Sequence, residues 1–256
     1  GQAAVARVVQ LNKLRGFHGL LTKSSNAYTK NHLNDLMNKR QVKDVLYEQV
    51  ARIGKAVSSP KRLELLELLA QGEKSVEQLA AELSIDVKLA SAHLRALREA
   101  RLVGFRKQGK FVLYRLTGAD VAGLWVTLRQ VAEEHLVELR VAIDQMVAEP
   151  KKLVSLDRQA LMDQAQRGEV VVIDVRPQAE FERSHLPYAR SMPVQEIASR
   201  LSELPRDKAI VAYCRGPFCL MSDEAVAMLK KRGFRARKTF DGVSEWQAAG
   251  LPVTRP

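Results

Sequence analysis

The chain has 256 residues, 46% of them hydrophobic, and a formal net charge of +12 at pH 7. That length accommodates two domains with separate cores, and the composition excludes a disordered or fibrous class. No apolar run reaches the roughly 18 residues a membrane-spanning helix needs, so a soluble, cytoplasmic protein with no membrane partner is expected.

Residues 1–36 hold one acidic residue, Asp35, among several lysines and arginines. They show no sustained helical period and read as a basic tail, disordered or upstream of the native start. Regular patterning begins after Met37. Val42, Val45, Leu46, Val50 and Ile53 recur at helical spacing up to Val57. Ser58-Ser59-Pro60 then supplies a cap and an N1 proline for a second helix that Gly72 closes. Ser75 and Gln78 occupy capping-box positions of a short third helix. After a turn at Ile85, Asp86 caps a fourth helix running to about Ala100. The period then changes to strand-like alternation at Leu102–Arg106 and Phe111–Arg115, joined by the basic tip Lys107-Gln108-Gly109-Lys110.

Residues 119–148 read as one long acidic helix with a seam through Val121, Trp125, Leu128, Ala132, His135, Leu139, Ala142 and Met146. One helix cannot bury such a seam alone, so a partner helix is implied, plausibly from a second subunit. Glu149-Pro150-Lys151-Lys152 reads as a linker. Beyond it, strands are expected at Val170–Asp174, Ala209–Tyr213 and Arg235–Phe240, and helices at 156–167, 194–203 and 219–232. Alternation of this kind points to an α/β domain with a mostly parallel sheet. The expected organisation is a tail over 1–36, a mainly α domain over 37–149, a linker over 150–153 and an α/β domain over 154–256.

Helix, turn, helix and hairpin in succession place a second helix for major-groove entry and a wing for the neighbouring backbone. Between Lys88 and Arg115 lie eight basic residues and one acid, Glu99. Such a stripe neutralises phosphates, although a solvated basic face has the same composition. Lys88, Ser91, Ala92, His93, Arg95 and Arg98 are the candidate groove contacts, and Lys107, Gln108 and Lys110 the phosphate contacts.

Over roughly residues 40–148 the chain resembles the ArsR family of dimeric winged-helix repressors. The resemblance rests on Ser59-Pro60-Lys61-Arg62-Leu63, the Ser91-x-His93-Leu94-x-x-Leu97 run, Arg98-Glu99-Ala100-Arg101-Leu102-Val103, and the Gly109 wing ending Tyr114-Arg115-Leu116. It implies a homodimer on an inverted-repeat DNA operator, with Val121, Trp125, Leu128, His135 and Leu139 at the dimer seam. Many relatives sense metals through cysteines before the recognition helix. Here that stretch, Glu73–Leu79, has no thiol, and His135 is the only histidine on the last helix. No metal site and no cofactor are therefore expected, and the signal must come from elsewhere.

The chain contains two cysteines, Cys214 and Cys219, which excludes a disulfide scaffold and suits a reducing compartment. Cys214 ends a strand and opens the loop Cys214-Arg215-Gly216-Pro217-Phe218-Cys219 before a helix. A strand, tight loop and helix start aim several backbone N–H groups at one point, which lowers a thiol's pKa. A buried, inert thiol at a strand end is the bland alternative.

Residues 154–254 resemble a single rhodanese domain: Asp174-Val175-Arg176, Glu180-Phe181, His185-Leu186-Pro187-Tyr188-Ala189 and Asp241-Gly242-Val243-Ser244-Glu245-Trp246 stand in the family's order around the Cys214 loop. The resemblance implies that the Cys214 thiolate takes a sulfane sulfur, holds it as a persulfide and passes it to an acceptor. Arg215 would attract the anionic donor, the loop amides around Gly216 would stabilise the persulfide, and Asp174 and Arg176 would hold the loop and sheet. Cys219 replaces an arginine found at that loop position in many rhodaneses, which puts thiosulfate turnover in doubt. Leu220 stands where a phosphatase needs arginine, which argues against phosphate-ester chemistry. Cys219 either resolves a persulfide or sulfenic acid into a disulfide, or is a small apolar residue at a helix start. The expected protein is a repressor that senses or handles reactive sulfur through Cys214. A sulfurtransferase enzyme with an accessory DNA-binding module is the alternative.

Overall fold

A computed structural model describes residues 39–146 and 157–255. The expected tail over 1–36 and the linker at Glu149–Lys152 lie outside the described residues. Helix α1 (Lys39–Val57) carries Val45, Leu46 and Val50 on an exposed stripe.

From Lys55 onward the chain forms one compact unit. Its first part consists of α2 (Pro60–Gln71), β1 (Lys74–Ser75), α3 (Val76–Glu82), α4 (Val87–Glu99), β2 (Val103–Gln108), β3 (Phe111–Leu116), α5 (Ala119–His135) and α6 (Val137–Met146). The caps follow from the sequence. The Gln78 amide donates to Ser75 Oγ (3.3 Å) while the Ser75 amide donates to Gln78 Oε1 (2.8 Å), and the Leu89 amide donates to Asp86 Oδ1 (2.9 Å). Leu65, Leu66 and Leu69 of α2, Leu79 of α3, and Leu94 and Leu97 of α4 are buried. The strands form an antiparallel sheet in the order β1-β3-β2.

Two readings change here. Lys107 and Gln108 belong to β2, where Gln108 pairs with Phe111, so the wing turn is only Gly109-Lys110, with Gly109 at φ 59°. The helix over 119–148 is broken at Leu136, whose φ and ψ of −104° and 104° are extended. Neither proline nor glycine marks that break.

The second part comprises α7 (Arg158–Gln166), β4 (Val170–Asp174), α8 (Gln178–Arg183), β5 (Arg190–Ser191), β6 (Ala209–Tyr213), α9 (Met221–Lys231), β7 (Ala236–Lys238) and α10 (Val243–Ala248). The four strands are all parallel, in the order β5-β4-β6-β7. Both faces of the sheet are covered, which is why β4 and β6 read as continuous apolar runs. Val171, Ile173, Ile210 and Ala212 pack into one core with Ala225 and Leu229. Val170, Val172, Val211 and Tyr213 pack into the other with Leu161 and Trp246. The helix expected over 194–203 is instead two 3-10 turns, Val194–Glu196 and Leu201–Glu203, on either side of the fully buried Ile197.

Candidate functional site

Helix α4 presents Lys88, Ala92, Arg95 and Arg98 as exposed side chains, with Ser91 and His93 half-buried. Ala90, Leu94 and Leu97 anchor the opposite face. Lys107, Gln108 and Lys110 are exposed on the wing. Arg98 lies 5.4 Å over the Phe105 ring and so ties α4 to the wing. Arg106 and Arg115 pair with Glu73, at 2.7 and 3.5 Å.

The expected dimer seam is divided. Val121 and Trp125 are buried within one chain, at 5% and 6% exposure, whereas Leu128 and His135 are exposed and Leu139 is half-buried. The Trp125 ring meets Phe218 of the cysteine loop edge-on, with centroids 5.9 Å apart. Trp125 is therefore taken by its own chain. Among the described residues, the large apolar side chains exposed on α5 and α6 are Leu128, Val131, Val137 and Val141, with Leu136 at the break.

The cysteine loop corrects the sequence reading more sharply. Cys214 is 2% exposed and belongs to the core cluster of Ile173, Ala212, Ala225 and Leu229. Burial pushes its thiol well above the ordinary range, and the neighbouring Cys219 adds to the shift. An ionised, reachable Cys214 is not what the fold supplies. The loop is nonetheless tightly curved. Gly216 has φ 151°, in the region that favours glycine, and the Cys219 amide returns to the Gly216 carbonyl at 3.1 Å. A Cβ on Gly242 would stand 2.5 Å from the Cys214 carbonyl oxygen, so the Asp241–Trp246 segment needs glycine where it meets the loop.

Cys214 Sγ lies 3.4 Å from the Cys219 carbonyl oxygen and 3.5 Å from the Ser222 hydroxyl. Cys219, at the loop's far end, is only partly buried. Its thiol is held below the ordinary range, first by the neighbouring Cys214 side chain and then, against burial, by the backbone of Arg215 and Met221.

Arg215 does not point to an incoming anion. Its guanidinium pairs with Glu180 (2.6 Å) and with Glu82 of α3 (2.8 Å), and Lys74 bridges the same two carboxylates at 2.9 and 2.8 Å. Burial works against the Glu180 carboxylate, but Arg215 and Lys74 outweigh it and keep its carboxyl below the ordinary range. Asp174 and Arg176 are both fully buried and joined at 2.6 Å. Arg176 also donates to Gln71 Oε1 of α2 (2.8 Å) and to the Ser184 carbonyl (2.8 Å). Arg129 of α5 pairs with Glu245 (3.1 Å) and Glu133, and its guanidinium lies 5.8 Å over Phe218.

No motif in the sequence marks Lys74, Glu82, Gln71 or Arg129 as part of this site. Arg129 left a signal: it is one of two basic residues on the acidic stretch 118–149, four positions after Trp125. Among the described residues, no three His, Cys, Asp or Glu side chains gather as a metal site, and no helix is long and apolar enough to cross a membrane.

Comparison with known proteins gives two family matches: bacterial regulatory protein, arsR family, over residues 59–104, and rhodanese-like domain over 157–249. The HTH-type transcriptional regulator Rv0324 of Mycobacterium tuberculosis is 42% identical over 211 residues, spanning 82% of this chain and 92% of its own. A sulfurtransferase of Allochromatium vinosum is 33% identical over 93 residues, 36% of this chain and 85% of its own. Among solved structures, the homodimeric winged helix-turn-helix DNA-binding domain of Mb0332 from Mycobacterium bovis is 43% identical. It covers 40% of this chain and 93% of its own, with a TM-score of 0.37.

Proposed function

Because this chain belongs to the ArsR family of transcriptional regulators and carries a C-terminal rhodanese-like domain, we propose that sulfane-sulfur chemistry at the Cys214–Cys219 loop sets its affinity for DNA. The protein acts as a homodimeric repressor on an inverted-repeat operator. Lys88, Ser91, Ala92, His93 and Arg95 face the groove, and Lys107, Gln108 and Lys110 face the phosphates. The exposed apolar residues of α5 and α6 meet their counterparts in the second copy. A small sulfur donor, such as a polysulfide, is the signal.

One observation carries the coupling: the cysteine loop is bolted to the winged-helix part at two points. Arg215 holds Glu82 on the helix directly before the recognition helix, and Phe218 packs on Trp125 of the helix that leads to the exposed apolar seam. A covalent change at either thiol strains both bolts. Two half-sites at fixed spacing tolerate little movement between recognition helices.

The test is a titration of the upstream promoter DNA at fixed salt, with and without inorganic polysulfide. Wild type should lose at least about tenfold in affinity on treatment, equivalent to about 1.4 kcal/mol. The Cys214→Ser, Cys219→Ser double variant should bind equally well in both conditions. Unchanged wild-type binding, with the thiols shown to be modified, overturns the coupling.

The sulfurtransferase reading is favoured by the likeness of residues 157–249 to rhodanese-like domains. Against it stand the burial of Cys214 and the neutralised Arg215. Fast thiosulfate–cyanide turnover with operator affinity unchanged would establish that reading instead.

A further inference from the structure

The two thiols differ in a way their order in the chain does not suggest. Cys214 is sealed in the core, whereas Cys219 is partly exposed at the entry to α9. The return of the Cys219 amide to the Gly216 carbonyl folds the loop back on itself. Cys214 Sγ stands 3.4 Å from the Cys219 carbonyl oxygen, so the two cysteines meet across that fold. Access therefore lies at the second cysteine. We infer that Cys219 takes the sulfane sulfur first, and that Cys214 then resolves the persulfide as a Cys214–Cys219 disulfide. This order rests on the sulfur-handling reading above and reverses the roles that position after the strand suggests.

The chemistry balances without a further reagent. The Cys219 thiolate attacks a sulfane sulfur of a polysulfide. A Cys219 S–S bond forms, the donor's own S–S bond breaks, and the donor leaves as a shortened sulfide anion. Cys214 then attacks the inner sulfur of the Cys219 persulfide. The disulfide forms, the persulfide S–S bond breaks, and the leaving sulfide takes the Cys214 proton to depart as hydrogen sulfide. The two thiols lose two electrons, and the transferred sulfane sulfur gains them. The Ser222 hydroxyl, 3.5 Å from Cys214 Sγ, can donate to the Cys214 thiolate during attack. The lowered pKa of Cys219 and the raised pKa of Cys214 agree with this order, because the thiolate is the attacking species.

The consequence is mechanical. Phe218 and Arg215 lie within the loop that the disulfide would close, and they are its two attachments to the winged helix. The resolved state is therefore the one expected to disturb α3 and α5.

The test uses the reduced full chain, sodium tetrasulfide as the probe, rapid alkylation and peptide mass spectrometry. Trypsin cleavage after Arg215 puts the two thiols on separate peptides. Wild type should lose about 2 Da as the disulfide forms, with little persulfide held. Cys214→Ser should gain about 32 Da, one sulfur, on Cys219. That adduct should form at least about tenfold faster than any adduct on Cys214 in Cys219→Ser. Should a serine variant fail to fold, the relative rates of iodoacetamide labelling of the two thiols in wild type give a second measurement. Cys219 should label about tenfold faster. A smaller or reversed ratio, or a wild type that keeps its persulfide without forming the disulfide, overturns the inference and leaves sulfur handling intact. If tetrasulfide modifies neither thiol in any of the chains, the sulfur-handling reading falls as well.

Discussion

Cations on the recognition helix and wing and cations around the cysteine loop are put to opposite uses. On α4 and the wing, Lys88, Arg95, Lys107 and Lys110 are exposed, at chain positions where DNA phosphates would meet them. Around the loop, Arg129, Arg176 and Arg215 are buried or nearly so, and each spans the two parts of the molecule: Arg129 to Glu245, Arg176 to Gln71 and Arg215 to Glu82. Counting arginines on the sequence cannot separate the two groups. Exposed cations are available to a polyanion, whereas buried ones are committed to carboxylates because an unpaired charge in the interior is too costly.

The comparison breaks most visibly at Arg176. Replacing it with methionine keeps much of the volume but leaves Asp174 without a countercharge, held only by the Tyr213 hydroxyl and the residue-176 amide, and takes a donor from Gln71. A loss of about 3–5 kcal/mol is expected in urea denaturation, the range for removing one partner of a buried pair. A loss under 1 kcal/mol would mean that Asp174 finds another partner or becomes protonated without difficulty. Gly242→Ala should rank next, because its methyl group would press on the Cys214 and Arg215 backbone. Overpacking of this kind costs about 1–3 kcal/mol, and the denaturation midpoint should fall accordingly.

Wing substitutions sharpen the other side. Lys107→Gln and Lys110→Gln should each lower the slope of log affinity against log salt by about 0.9, if each side chain meets one phosphate. Stability should stay within about 0.5 kcal/mol of wild type. A salt slope left unchanged by both substitutions would remove the wing from the DNA interface.

Much of the fold was legible because local chemistry announced it. Ser75 with Gln78, Asp86, Pro60 and Gly72 mark helix ends by what their side chains or backbones can do, and the helices begin and end there. The apolar runs of β4 and β6 announced a sheet covered on both faces. What stayed hidden depends on contacts distant in the chain. Lys74 and Glu180 are 106 positions apart and Arg129 and Glu245 are 116 apart, so no window along the sequence holds both partners. The same holds for Trp125, whose place in an apolar repeat pointed to a second subunit although Phe218 fills that role within the chain. The cysteine site was half legible. Its loop was foreseen, but the roles of its two thiols follow from how the loop folds back, which composition does not encode.

Glu67 gives the smallest and most selective probe of the buried side. This carboxyl of α2 is raised from an ordinary value of 4.5 to about 7, first by burial and then by Glu245, with Arg215 and Arg129 opposing. A carboxyl raised on folding favours the protonated form in the folded state. Its packing is therefore unpenalised below about pH 4.5, and stability is lost as the pH climbs through about 7. Glu67→Gln removes that dependence. The variant should match wild type near pH 4.5 and exceed it at pH 8 by on the order of 1 kcal/mol, once partial exposure is discounted. Denaturation midpoints of the full chain measured across that range should diverge with rising pH. Parallel curves would mean that Glu67 is solvated and that water already reaches this buried side of α2. The contrast between committed and available cations would then weaken at its centre, because Arg129 and Arg215 would be holding their carboxylates in a wet interface rather than a dry one.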